Sequence, residues 1–201
     1  MSVDWLLLIY TLPSQPSRKR AYVWRELKRV GALYLRDGVA LLPRRPELED
    51  HLRDIVARVE EFEGESDLIL SPTFSEERTT VLVGRFREER EAEYREVYHA
   101  CARFLRDVLH EVDTDDFGFP DVDNLESELG RLRRWYLQVS SRDYFITPGS
   151  KKVEEILEKC ARAFDHFVST ASERQEQPAT HDDVFERLGG PSATVAEDLP
   201  L

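Results

Sequence analysis

The run from Asp4 to Leu12, closed by Pro13, carries Trp5-Leu-Leu-Leu-Ile-Tyr10 without a charge or a polar alternation. A β-favouring stretch of this kind has no face to give to water, so it suits a strand buried on both sides. Whatever this chain folds into must cover that strand twice. The sequence has the means: 201 residues, 41% hydrophobic and 34% charged, describe a soluble, helix-rich globular chain with room for a real core. No apolar run approaches the ~20 residues of a membrane-spanning helix. Residues 1–20 also lack the order of a secretory signal, because Arg18-Lys19-Arg20 follows the apolar stretch and no small-residue cleavage site comes after it. The expectation is a cytoplasmic protein, with Cys101 and Cys160 as reduced thiols in its core.

After Pro13, Ser14-Gln15-Pro16-Ser17 supplies loop chemistry and two candidate N-caps. A helix is predicted from about Arg18 to Val30, with Val23, Trp24, Leu27 and Val30 toward the core and Gly31 as its stop. Two short strands follow, 32–35 and 39–43, joined through the hairpin signal Asp37-Gly38. Pro46 opens a second helix whose stripe is Leu48, Leu52, Ile55, Val59 and Phe62, ended by Gly64. A last strand spans 67–70. This β-α-β-β-α-β order predicts an α+β chain with a ferredoxin-like domain over 1–72. The period then changes. Residues 75–84 mix β character with a helix start and lean toward helix. Helices are expected at 85–112, 122–143 and 150–171, forming a helical arm or bundle over 73–171. Residues 172–201, acidic and rich in Pro and Gly, read as a mobile tail.

The net charge of −12 hides a strong asymmetry. Residues 1–46 carry nine Lys or Arg against three acids, a net of +6, whereas 47–170 sum to −13 and 171–201 to −5. The total excludes a basic coat for nucleic acid, yet one basic segment stands out. Arg18, Arg25 and Arg29 recur at i, i+7 and i+11 and share one helix face, with Lys19 and Arg20 beside them. Guanidinium groups fit the forked geometry of a phosphate or another tetrahedral oxyanion, and the helix N-terminus adds free backbone N–H groups. The candidate anion- or DNA-binding set is therefore Arg18, Lys19, Arg20, Arg25 and Arg29, and the acidic tail is a possible competitor for it. No base-reading helix-turn-helix pattern accompanies them.

Catalytic signals are weak. The chain has no G-x-S-x-G, Walker A, dinucleotide fingerprint or H-E-x-x-H. His99 and Cys101 lie about 200° apart on a helix and cannot share a metal. The cluster Asp113, Asp115, Asp116, Asp121 and Asp123 does not reproduce a calcium loop and reads as a solvated connector. No cofactor, metal or catalytic residue is assigned.

The strings Trp5-Leu-Leu-Leu-Ile-Tyr-Thr-Leu-Pro13, Arg20-x-x-x-Trp24-Arg25-x-Leu27-Lys28-x-x-Gly31-Ala32 and Leu35-x-Asp37-Gly38-Val39-x-Leu41-Leu42-Pro43 resemble the N-terminal domain of chromate-resistance regulators of the ChrB type. Arg90-x-x-Glu93-Tyr94 and Arg142-Asp143-Tyr144-Phe145 look like its continuation, so that the likeness covers about residues 3–170. The resemblance implies a bacterial cytoplasmic protein tied to chromate-transport operons, whose relatives act as chromate-responsive transcription regulators. Its first part is also similar to the ferredoxin-like domain of phenylacetate-degradation repressors and, more remotely, to small CRISPR adaptation nucleases. The nucleases end their first strand on an acidic metal ligand where this chain has Thr11, so nuclease activity is not expected. Long family members continue into a second domain, and the expectation here is a chain without it. The leading reading is a regulator whose basic helix holds DNA backbone or a chromate-like oxyanion. The alternative is a dimerising interaction module without DNA binding, whose sheet or helical arm pairs with a copy of itself or with a separate second-domain protein; the expected assembly is a homodimer. An enzyme acting on chromate would have only two buried thiols to work with.

Overall fold

The computed structural model describes residues 3–114 and 119–176. In chain order the elements are β1 (Trp5–Thr11), α1 (Ser17–Arg29), β2 (Leu33–Arg36), β3 (Val39–Pro43), α2 (Pro46–Glu61), β4 (Glu65–Leu70), α3 (Glu76–Thr114), α4 (Phe119–Ser140) and α5 (Gly149–Glu176). The chain is thus an α+β protein with one four-stranded sheet, ordered β2-β3-β1-β4, in which every neighbouring pair is antiparallel.

β1 lies between β3 and β4, and its side chains divide between the two faces of the sheet. Leu6 and Leu8 enter a core with Val23 and Leu27 of α1 and Leu48, Leu52, Ile55 and Val59 of α2. Trp5 and Leu7 go the other way, where Leu33 and Leu41 of the sheet meet Leu82, Val83 and Phe86 of α3. The uncharged run at the start of the chain is therefore covered by helices on both sides, as a strand without polar alternation requires. Trp5 is stacked against Phe86 at 5.9 Å between ring centroids, and Phe145 lies 5.9 Å away on another side.

α3 is one continuous helix of 39 residues. The stretch 75–84 is helical from Glu76, and its strand-like Val81-Leu82-Val83 owes its apolar character to the sheet that two of the three residues cover. Farther along, Tyr94, Val97, Cys101, Phe104 and Val108 join Leu125, Leu129, Leu132 and Val139 of α4 and Val153, Ile156, Cys160 and Phe167 of α5 in a third core. One helix thus belongs to both packing units, and it begins just past the expected boundary at 72–73. Cys101 and Cys160 are free and buried, with the Cys160 thiol 3.5 Å from the Cys101 carbonyl oxygen. The hydrogen bond with the Cys101 thiol, and burial after it, push the Cys160 thiol far up, which keeps it protonated at neutral pH.

Several expectations are corrected. Trp24 does not face the core: it is 51% exposed, because Val23 and Leu27 already fill the narrow contact that α1 makes with the sheet. Neither Ser14 nor Ser17 caps α1, whose N-cap is Pro16 and has no side-chain bond. α4 lies about three residues earlier than the predicted 122–143, at 119–140, and α5 extends to Glu176, into the stretch assigned to the tail. The rest of the predicted tail, from residue 177, lies outside the described residues, as do the side chains of Asp113, Asp115, Asp116 and Asp121.

Gly31 ends α1 at φ +68, and a Cβ there would sit 3.0 Å from the Cβ of Arg142. Gly84, inside α3, has nothing within 4 Å of the corresponding position. Gly31→Ala should therefore destabilise the fold by about 1–3 kcal/mol, whereas Gly84→Ala should stabilise it by about 0.5–1 kcal/mol. Urea denaturation of both variants checks the pair, and equal effects would contradict this packing.

Candidate functional site

α1 is basic, with Lys28 and Arg29 in its last turn and no acid in its first. It presents its predicted cations unequally. Arg18, Arg20 and Arg25 are exposed, and none has a hydrogen bond or ion pair among the described residues. Arg29 is held by Glu26 on its own helix, with Nη2 2.6 Å from Oε2. Lys19 is half-buried, donates to the carbonyl oxygen of Phe62 at 3.1 Å and lies 3.4 Å from Glu63. Arg18 and Arg25 share a face, but Arg20 is two residues, about 200°, from Arg18 and points elsewhere. The five predicted residues thus reduce to an open pair, Arg18 and Arg25, with Trp24 exposed beside Arg25. Of the backbone donors expected at the N-terminus, the Lys19 amide is taken by the Pro16 carbonyl oxygen at 3.1 Å.

A second constellation forms where the C-terminal end of α1 meets α3 and the segment after α4. Arg90 on α3 is 4% exposed. Its Nη1 lies 3.0 Å from Oε2 of Glu93, the same oxygen that accepts from Nε and Nη2 of Arg142 at 3.1 and 3.0 Å. One carboxylate oxygen therefore serves two guanidinium groups. Burial lowers the Arg90 pKa, the Arg142 charge works in the same direction, and Glu93 works against both. Asp143 accepts from the Tyr94 hydroxyl at 3.2 Å and from the backbone N–H and hydroxyl of Thr147 at 2.9 and 2.8 Å. Burial of Tyr94 is the main reason its phenol is pushed up to about 12. Tyr144 donates to the Val30 carbonyl oxygen at 2.6 Å, and the Arg45 guanidinium lies 4.8 Å from its ring. Phe145 reaches the Trp5 and Phe86 rings, and its carbonyl oxygen accepts from Arg87. The hook over 142–147 therefore grips α1, α3 and the sheet together.

Beside it lies a cleft of about 470 Å³ lined by Arg29, Val30, Leu48, Gln138, Ser141, Arg142 and Tyr144. It contains two guanidinium groups, an amide and two hydroxyls but no carboxylate. Sequence reasoning passed over this junction as a site. Its partners are 49 residues apart for Arg142 and Glu93 and 114 apart for Tyr144 and Val30, so no helical period connects them. The two strings Arg90-x-x-Glu93-Tyr94 and Arg142-Asp143-Tyr144-Phe145 were the available signal, and they meet in space. His99 is exposed and Cys101 buried, so the pair cannot converge on a metal. No cluster of three or more potential metal ligands occurs among the described residues.

The fold and this site define an α+β protein with an open basic first helix, fastened to a three-helix arm by a half-buried Arg-Glu-Arg junction. The family model for the N-terminal part of protein ChrB matches residues 20–178, and the chain belongs to that family. Protein ChrB of Cupriavidus metallidurans is 27% identical over 154 residues, covering 75% of this chain and 43% of that protein. The chain thus spans less than half the length of this curated relative. No solved structure matches it.

Glu93→Ala would leave the buried Arg90 without its nearest counter-charge. The expected cost is about 3 kcal/mol, at the lower end for a broken buried pair because Glu93 is itself 30% exposed. Adding Arg90→Met should recover more than half of that loss in chemical denaturation. A double variant no more stable than Glu93→Ala would show that the charges are not coupled.

Proposed function

We propose that this chain is a regulatory protein of chromate resistance, acting in the cytoplasm as a transcription regulator or its accessory, with α1 resting on the phosphate backbone of DNA. Family membership supports the biological setting. The observation that carries the contact is the pair Arg18 and Arg25, exposed on one face of α1 and without an internal partner among the described residues, in a segment of net +6 within a chain of net −12. On the same helix Lys19 and Arg29 are held by Glu63 and Glu26, so Arg18 and Arg25 are the two cations of this face left to meet an anion.

The element order, with α1 and α2 on one face of a β2-β3-β1-β4 sheet, supports reading the first part as ferredoxin-like. The β4 edge leaves Ile69 and Leu70 40% and 39% exposed, which favours a homodimer in which two such edges approach. Two copies would double the number of phosphates met and so compensate for a small contact in each.

A second reading has its own support. The cleft between Arg29 and Arg142 has no carboxylate in its lining, and a tetrahedral, chromate-like oxyanion there would share the two guanidinium groups with Glu26 and Glu93. In that reading the anion acts at the junction while α1 holds DNA.

Fluorescence anisotropy with a labelled duplex from the upstream region of its operon tests both readings. Affinity should fall steeply between 50 and 200 mM salt, roughly as expected for several released counterions. Arg18→Gln and Arg25→Gln should each weaken binding across all sequences and lower the salt slope by about one. Chromate should shift the wild-type curve and leave Gln138→Leu/Ser141→Ala unmoved. Binding that ignores both arginines would contradict the α1 contact, and chromate insensitivity of the wild type would retire the cleft.

A further inference from the structure

Trp24 of α1 is 51% exposed, and among the described residues no ring, guanidinium or hydrogen-bond partner meets its indole. A single apolar side chain in water is common on protein surfaces. What distinguishes this one is its neighbours. Arg20 and Lys28 stand at i−4 and i+4 from Trp24, so one cation lies a turn before the ring and another a turn after it, about 12 Å apart along the helix. Arg20, which lies off the face shared by Arg18 and Arg25, belongs to this second row, and Arg25 follows Trp24 directly between the two.

The cations of the row are open to an anion. Arg20 and Arg25 are exposed and have no ion pair among the described residues. The Lys28 side chain is 44% exposed, and its Nζ lies 3.7 Å from Oε2 of Glu89, an oxygen that Nη2 of Arg90 also approaches, at 3.6 Å. One carboxylate oxygen is thus divided between two cations, and the three donors of the ammonium are not used up by it.

The surface around the ring selects its ligand. A lipid surface takes up a whole apolar helix face together with the cations, and a protein interface takes up an apolar patch with the aromatic at its centre. Among the described residues of α1, Trp24 is the only large apolar side chain exposed, and Arg20, Ala21, Arg25 and Lys28 surround it on the helix. A nucleobase asks for less: one flat ring to stack on, with cations at either end for the phosphates that flank it. Bases inside a duplex are already stacked on one another, so only an unpaired base has a face to offer.

We propose that α1 binds single-stranded DNA, with one unpaired base stacked on Trp24 and the neighbouring phosphates held by Arg20 and Lys28. This rests on the reading of α1 as the DNA-binding element and adds to it a base contact and a strand state. Fluorescence anisotropy on the full chain at 50 mM salt tests it, with a labelled twelve-residue oligothymidylate beside an abasic strand of equal length and charge. The oligothymidylate should bind at least fivefold tighter than the abasic strand and quench the emission of Trp24, the exposed one of the three tryptophans. Trp24→Ala, a surface change, should bind both strands alike at the abasic level, and Trp24→Phe should keep most of the preference. Arg20→Gln and Lys28→Gln should each lower the salt slope by about 0.7, the value for one phosphate of a single strand. Equal binding of the two strands by the wild-type chain would overturn the proposal, and the backbone contact would survive it if the upstream duplex is still held through Arg18 and Arg25. Duplex binding indifferent to those two arginines, with the oligothymidylate preference intact, would instead retire the backbone contact and leave the Trp24 contact standing. Tighter binding of oligouridylate would assign the row to RNA and overturn the proposal. So would emission that shifts with anionic phospholipid vesicles or with protein concentration but not with oligothymidylate, which would give Trp24 to a membrane or to a second copy.

Discussion

The strand β1 has no side to spare for solvent, and the rest of the architecture answers that constraint. One face is closed by α1 and α2, a pairing that a βαββαβ order supplies by itself. The other face has no helix of its own within the first seventy residues. It is closed by the first turns of α3, through Leu82, Val83 and Phe86, with Phe145 from the hook. Covering Trp5 and Leu7 therefore requires the helical arm. Each fully buried aliphatic or aromatic side chain in that contact contributes about 1.5–3 kcal/mol of transfer free energy, so the sheet and the arm stabilise each other through a shared helix.

The polar junction adds direction to this adhesion. Apolar contacts tolerate small rotations of one unit over the other, but Glu93 accepts from Arg142 and lies against Arg90 through a single oxygen, and Tyr144 meets one backbone carbonyl of α1. These bonds are made only at one orientation. Because the Val30 carbonyl belongs to the C-terminal end of α1, the orientation they select is that of the basic helix. A change at the hook or in the cleft beside it is thus positioned to alter how Arg18 and Arg25 are presented, which connects the two parts of the functional reading.

Much of the sheet layer was legible in the sequence, because its signals are local. Pro13, the Asp37-Gly38 pair, Pro46 and Gly64 punctuate elements that begin or end within three residues of those marks. Trp24 was misplaced because a helix with a two-residue core contact, Val23 and Leu27, leaves position 24 on its flank, where hydrophobicity alone cannot say which way it faces. Residues 75–84 were ambiguous for a related reason: a helix covering a sheet is as apolar as a strand. The candidate site was legible only as a list of cations. Charge spacing identified the helix face, and the i,i+3 spacing of Glu26 and Arg29 held the signal for that ion pair, but neither the quenching of Lys19 by Glu63 nor the meeting of Arg90 with Arg142 follows from any local period. These depend on contacts between elements far apart in the chain.

The central claim is that the hook holds α1 and the helical arm as one mechanical unit. Hydrogen exchange on Tyr144→Phe, which removes only the hydroxyl that meets Val30, tests it most directly. A hydrogen bond of this kind contributes about 1 kcal/mol. Exchange should therefore rise roughly fivefold, and together, at residues 27–31 of α1 and 142–147 of the hook, with the bundle core around Cys101 unchanged. Faster exchange confined to the hook, with the end of α1 as protected as before, would contradict the account.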